Sequence, residues 1–256
     1  MKTFIYSLIL LLFVLSQIGC SPRLLNKSYD KTSIQQLYTA GVKDASQPTE
    51  AKIYDHLSPI TDSNSKLIWK EIKGEQYVLV ASWKADTKYY KNDPETGFYN
   101  TGKYEVWVTA VPQLKQLCQT AKFGKKEGVN LRLKQLLGLP PDDNKQYFVE
   151  FWVRPKDLFR PCPDAMISDE KCDLEFPKDA TKEHIEWTDN LRAKSYSNPQ
   201  WDKNYPWTQL GYTYDWNASI SNHVGLSEYV ISTNAEIVVK GFYATADYCN
   251  CKTDAN

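Results

Sequence analysis

Three histidines, His56, His184 and His223, hold most of the acid–base chemistry open to this chain. His184 stands in Lys182-Glu183-His184-Ile185-Glu186-Trp187, where carboxylates on either side are placed to orient an imidazole. No second histidine follows four residues later, as a helical metal pair requires. As a plain surface residue of a helix, His184 needs no chemical role. As a base it would work with a carboxylate or with the thiol of Cys118, because nucleophile and base need only meet in space. No G-x-S-x-G, P-loop or G-x-G-x-x-G signature occurs. Carboxylate neighbours such as Asp142-Asp143 and Asp169-Glu170 lie in polar, turn-like segments, and adjacency in sequence does not set the separation a glycosidase needs.

Residues 196–216 offer recognition instead of bond-making. Tyr196, Trp201, Tyr205, Trp207, Tyr212, Tyr214 and Trp216 are interleaved with Asn198, Gln200, Asp202, Asn204, Gln209 and Asp215. Flat aromatic faces stack on sugar rings or peptide side chains, and nearby amides and carboxylates bond the edges. The competing use of the same residues is a core wrapped by an irregular segment, with Tyr and Trp polar atoms bonded to backbone.

Address is written at the other end. Lys2 precedes an apolar stretch over residues 4–15, then Ser16 and Gln17, which is the charged, apolar, polar order of a secretory signal. The stretch falls short of the roughly 20 apolar residues of a membrane span. Ile18-Gly19-Cys20-Ser21 resembles the lipobox of bacterial membrane lipoproteins, with Gln17 standing where that family usually has an aliphatic residue. The resemblance covers only the first 21 residues. It implies cleavage before Cys20, acylation of its thiol and amine, and a membrane partner held through lipid. Ser21 after the cysteine implies outer-membrane sorting. One acyl chain holds only marginally, at about 0.8 kcal/mol per buried methylene, so stable anchoring needs several.

With Cys20 acylated, five cysteines remain: Cys118, Cys162, Cys172, Cys249 and Cys251. An exported chain lives where disulfides persist. Cys118 is expected to be the unpaired one, since it falls on the apolar face of a helix with Leu114 and Leu117, and free cysteine is among the most buried residue types. A Cys249–Cys251 bridge would close a very small ring against ordinary disulfide geometry. Both tail cysteines are therefore expected to staple to Cys162 and Cys172, closing loops of roughly 80 residues worth about 4 kcal/mol each in the chain-entropy model. These spacings miss the C-x₂₋₄-C pairs of zinc sites, so neither metal nor cofactor is expected.

These side chains need a scaffold, and the pattern supplies an α+β one with a largely antiparallel sheet, a few short helices and disulfide staples. Residues 67–69 and 77–83 read as strands joined at Lys73-Gly74, residues 103–109 alternate like a strand, and residues 226–232 and 235–243 read as two more. Residues 147–153 are nearly continuously apolar and read as a central strand. Pro112 opens one helix; Asn130 is expected to cap another that stops at Gly138 before Pro140-Pro141. The long loop over residues 84–102 carries Tyr89, Tyr90, Phe98 and Tyr99 as further candidate contacts. Residues 1–19 are the leader, residues 20–65, rich in polar side chains, are expected to be a lipidated spacer, or else a domain edge docked through Ile34, Leu37 and Tyr38, which have helical spacing, and residues 66–256 form one domain.

Basic and acidic residues balance at 31 each, and no dense Lys/Arg run occurs, which excludes a nucleic-acid surface. The expectation is a lipid-anchored protein of the bacterial cell envelope, a non-enzymatic module binding a glycan, a peptide or an envelope protein. The alternative is an envelope hydrolase built on His184 with a carboxylate or Cys118.

Overall fold

The computed structural model describes residues 31–120 and 126–249, so the leader, Cys20 and Cys251 lie outside the described residues. Helix α1 (Lys31–Ala45) comes first, then strands β1 (Trp69–Ile72) and β2 (Glu75–Lys84). Their hairpin turns on Lys73 and Gly74, whose φ values of 51° and 81° give the backbone twist a two-residue hairpin needs. Next come β3 (Tyr99–Asn100), β4 (Val106–Ala110), α2 (Val111–Cys118), α3 (Lys126–Leu136), β5 (Tyr147–Val153) and β6 (Leu158–Phe159). The chain continues through α4 (Lys182–Ser195), β7 (Tyr212–Tyr214), β8 (Val224–Ser227), β9 (Tyr229–Ile231), β10 (Glu236–Ala244) and α5 (Thr245–Tyr248).

The fold is α+β, and every strand pair among the described residues runs antiparallel. The main sheet has the order β3-β10-β5-β2-β4-β9-β6, with β1 added beside β2, and β7 and β8 form a separate ribbon. β5 lies between β10 and β2, which is why both of its faces are apolar. Val149, Phe151 and Val153 meet Val78, Val80, Val108 and Tyr229 on one side. Phe148 and Trp152 meet Leu79, Trp83, Leu114, Leu133 and Tyr248 on the other, under α2, α3 and α5. Among the described residues no helix is long and apolar enough to cross a membrane.

Four expectations need correction. The spacer does not extend to residue 65: Tyr38 and Val42 of α1 are fully buried against Tyr214 and Trp216, and Leu57 and Ile60 are buried further on. The helical spacing of Ile34, Leu37 and Tyr38 is thus a docking face, dispersed among enough polar residues to look solvated. Secondly, Asn130 is an interior residue of α3, which begins by Lys126; the stop is where expected, with Gly138 at φ 64° and Leu139 N–H closing onto Lys134 O at 2.8 Å. Thirdly, residues 226–232 split into β8 and β9 at Glu228, because the Glu228 N–H turns to Gly211 O while β9 pairs with β4.

The fourth concerns the cysteines. Cys118 is bonded to Cys249, and Cys162 to Cys172, with Cα–Cα distances of 5.0 and 6.4 Å. Cys118 is buried as its helical face predicted, but burial and pairing are compatible. β10 delivers α5 onto the same sheet face as α2, so Cys249 arrives against Cys118. Cys162 and Cys172 meet because the loop between them doubles back around Arg160, whose buried guanidinium donates to Met166 O and Asp169 O.

Candidate functional site

Small-ligand sites are concave, mostly apolar, and carry a few polar groups held in place. A cleft of about 740 Å³ between α1 and the β7–β8 ribbon has this character. A wider groove of about 1390 Å³ lies between residues 54–68 and α2, but Gln113 and Gln116 on its wall are exposed and no supporting hydrogen bond holds them.

Tyr214 and Trp216, two residues apart, pack against α1, and Tyr212, two residues earlier, lines the same cleft. Gly41 lets the helix close on them: a β-carbon there would fall 2.9 Å from Tyr214 Cε1 and 3.0 Å from Trp216 Cβ. This approach brings Asp44, one turn further along α1, to the Tyr214 hydroxyl, which donates to Asp44 Oδ2 at 2.9 Å. Lys52 donates to Asp44 Oδ1 at 2.9 Å, and its other bonds go to Asp44 O and Gln47 O. Burial alone would raise the Asp44 carboxyl, but the bonds from Lys52 and Tyr214 outweigh it and hold it below the usual carboxylate range. Tyr214 itself is pushed well up, first by burial and then by its bond to Asp44. Tyr212, bonded to Lys52 O, is pushed up to about 12 by burial and by the charge of Asp44.

His223 closes the cleft from the other side. Its ring stacks on Tyr214 with centroids 4.9 Å apart and planes 17° from parallel. Nδ1 lies 2.8 Å from Asp215 O, and since a carbonyl only accepts, Nδ1 carries the proton. Nε2, across the ring, has no partner among the described residues. The backbone at His223 is left-handed, at φ 53°, a conformation that costs a non-glycine residue energy and collects at functional positions. Asp215 is fixed beneath by Arg132, with N–O distances of 3.0 and 2.6 Å.

Of the expected ligand-binding aromatics, Tyr212, Tyr214 and Trp216 line this cleft, though all three are buried. Trp216 Nε1 donates to Lys134 O and Leu139 O. Trp207 is core, with Nε1 on Pro161 O, and Trp201 is half-buried against α1. Tyr205 is exposed and stands apart from the cleft. The expected row of stacking faces is therefore mostly a packed interior. In the long loop, Tyr90 packs on Phe151, and Asn92 bonds both backbone groups of Val239, covering the sheet edge.

The hydrolase constellation does not assemble. Cys118 is in a disulfide, and His184 points Nε2 at Cys162 O, 2.7 Å away, with its ring stacked on Trp187. Among the described residues no group of three or more His, Cys, Asp or Glu is placed to hold a metal ion. Asp44 and Lys52 escaped the sequence reading, whereas Tyr214 stood in it among the aromatics of residues 196–216. The readable signal was Tyr212-x-Tyr214-x-Trp216, a strand face requiring a partner.

No family model matches the chain, and no curated protein or solved structure is similar enough to count as a match.

Proposed function

We propose that this chain is a lipid-anchored protein of the bacterial cell envelope that binds a small ligand in the cleft between α1 and the β7–β8 ribbon. The single observation carrying the binding role is the pair of polar groups fixed in an apolar recess: Asp44 held by Lys52 and Tyr214, His223 held by Asp215 and Tyr214. Such fixing lowers the ordering cost of binding. Two disulfides suit an oxidising compartment outside the cytoplasm, in keeping with a leader that ends just before Cys20.

Two measurements test the two halves. Intact mass of protein extracted from its native membrane should show an acylated Cys20 N-terminus, lost in Cys20→Ala; an unmodified N-terminus elsewhere sinks the address. Thermal-shift screening against small molecules extracted from the envelope should yield a stabilising fraction, and Ala218→Trp, which plugs the cleft, should abolish the shift. A shift that survives the plug places binding elsewhere.

A further inference from the structure

We infer that the cleft selects a neutral saccharide, gripped through two adjacent hydroxyl groups that donate to Asp44 and to His223 Nε2. The inference rests on the cleft being the binding site. Donors around Tyr214 are outnumbered by acceptors. Lys52 places its three N–H groups on Asp44 O, Asp44 Oδ1 and Gln47 O. The hydroxyls of Tyr214, Tyr212 and Thr208 are committed to Asp44, Lys52 O and Tyr212 O. The side-chain donors bonded to Asp44 and Lys52 are thus spent.

Two acceptors are left over. Asp44 is ionised, takes only two hydrogen bonds to its carboxylate, and leaves 47% of its side chain exposed. In the neutral ring, His223 Nε2 is an acceptor because Nδ1 holds the proton on Asp215 O. Both flank one tyrosine, one bonded to its hydroxyl and the other stacked on its ring. A ligand that satisfies both must donate twice, on either side of Tyr214.

Charge decides between a diol and an amine. The Lys52 ammonium already sits 2.9 Å from the Asp44 carboxylate, so a cationic ligand would meet a cation at the group that should attract it. A neutral diol meets no such repulsion. Leu37, Ala40, Leu210 and Val224 give the cleft an apolar wall that suits the C–H face of a sugar ring, beside the polar Ser221 and Asn222.

The test is calorimetric titration with a panel of methyl hexopyranosides, the matching deoxy sugars lacking one hydroxyl of the pair, and n-butylammonium. It is read together with the ¹⁵N shift of His223 Nε2. The expected result is saturable binding of at least one hexopyranoside with an Nε2 shift, weakened about tenfold or more by removing one hydroxyl and by either Asp44→Asn or His223→Asn. Asparagine tolerates the left-handed backbone at position 223, and an unchanged thermal transition certifies each fold. Binding of n-butylammonium with no response to sugars overturns the saccharide while leaving the cleft as the site. Equal affinity for deoxy sugars, or for both variants, overturns the two-hydroxyl grip. Silence of Nε2 to every probe overturns the saccharide, and silence also to the stabilising envelope fraction removes the cleft itself.

Discussion

Gly41 and Tyr214 approach so closely that a β-carbon on Gly41 would lie 2.9 Å from the tyrosine ring. Glycine inside a helix normally costs about 1 kcal/mol relative to alanine, so Gly41→Ala would stabilise an isolated α1. Here the obstacle is the buried Tyr214 ring together with Trp216 Cβ at 3.0 Å, so the helix or both side chains must shift. Overpacking of this kind costs roughly 1–3 kcal/mol, which exceeds the propensity gain. Gly41→Ala is expected to lower the denaturation midpoint and, by lifting α1 from the ribbon, to separate Asp44 from the Tyr214 hydroxyl. A stabilised variant would show that α1 does not dock on β7.

The two disulfides should be unequal. Cys118 and Cys249 are 131 residues apart, Cys162 and Cys172 only 10. In the chain-entropy model the first closure is worth about 5 kcal/mol and the second about 3 kcal/mol. Peptide mapping without reduction should recover a Cys118–Cys249 cross-link and a Cys162–Cys172 cross-link. Replacing Cys118 and Cys249 together by Ser should destabilise more than replacing the other pair. Any peptide joining Cys162 or Cys172 to the tail would reject this connectivity.

Local pattern carried the sheet and its central strand, because alternation and turn chemistry act over a few residues: Lys73-Gly74 turns where expected, and residues 147–153 form β5 between two neighbours. What depends on which face meets which was not legible. Glu150 lies inside that apolar strand, fully buried, and is tolerated because a register shift in β10 between Val239 and Gly241 sends Lys240 Nζ to within 2.6 Å of its carboxylate. Nothing near Glu150 in sequence announces Lys240. The cleft has the same character. Asp44, Tyr214 and His223 are joined only after α1 crosses the ribbon, whereas the conspicuous tryptophans were spent on holding that crossing together. Cysteine pairing failed for the related reason that topology, not spacing, decides which thiols meet.

Glu228, between β8 and β9, gives stability a pH dependence. Its carboxyl has no hydrogen-bond or ionic partner among the described residues, and burial pushes its pKa up to about 8. The unfolded chain releases this proton near pH 4.3, about the ordinary value for glutamate. Between that pH and about 8 the folded state holds a proton that the unfolded state has lost, so stability falls as pH rises, by at most about 1.4 kcal/mol per pH unit. The favourable contribution is complete below the unfolded value and is gone once the folded carboxyl ionises. Glu228→Gln keeps the shape and carries no charge at any pH. Denaturant unfolding of both proteins from pH 5 to 9 should therefore show the variant gaining on the wild type with rising pH, the gap levelling above about pH 8. Parallel curves would mean that Glu228 ionises as freely in the folded protein as in the unfolded chain.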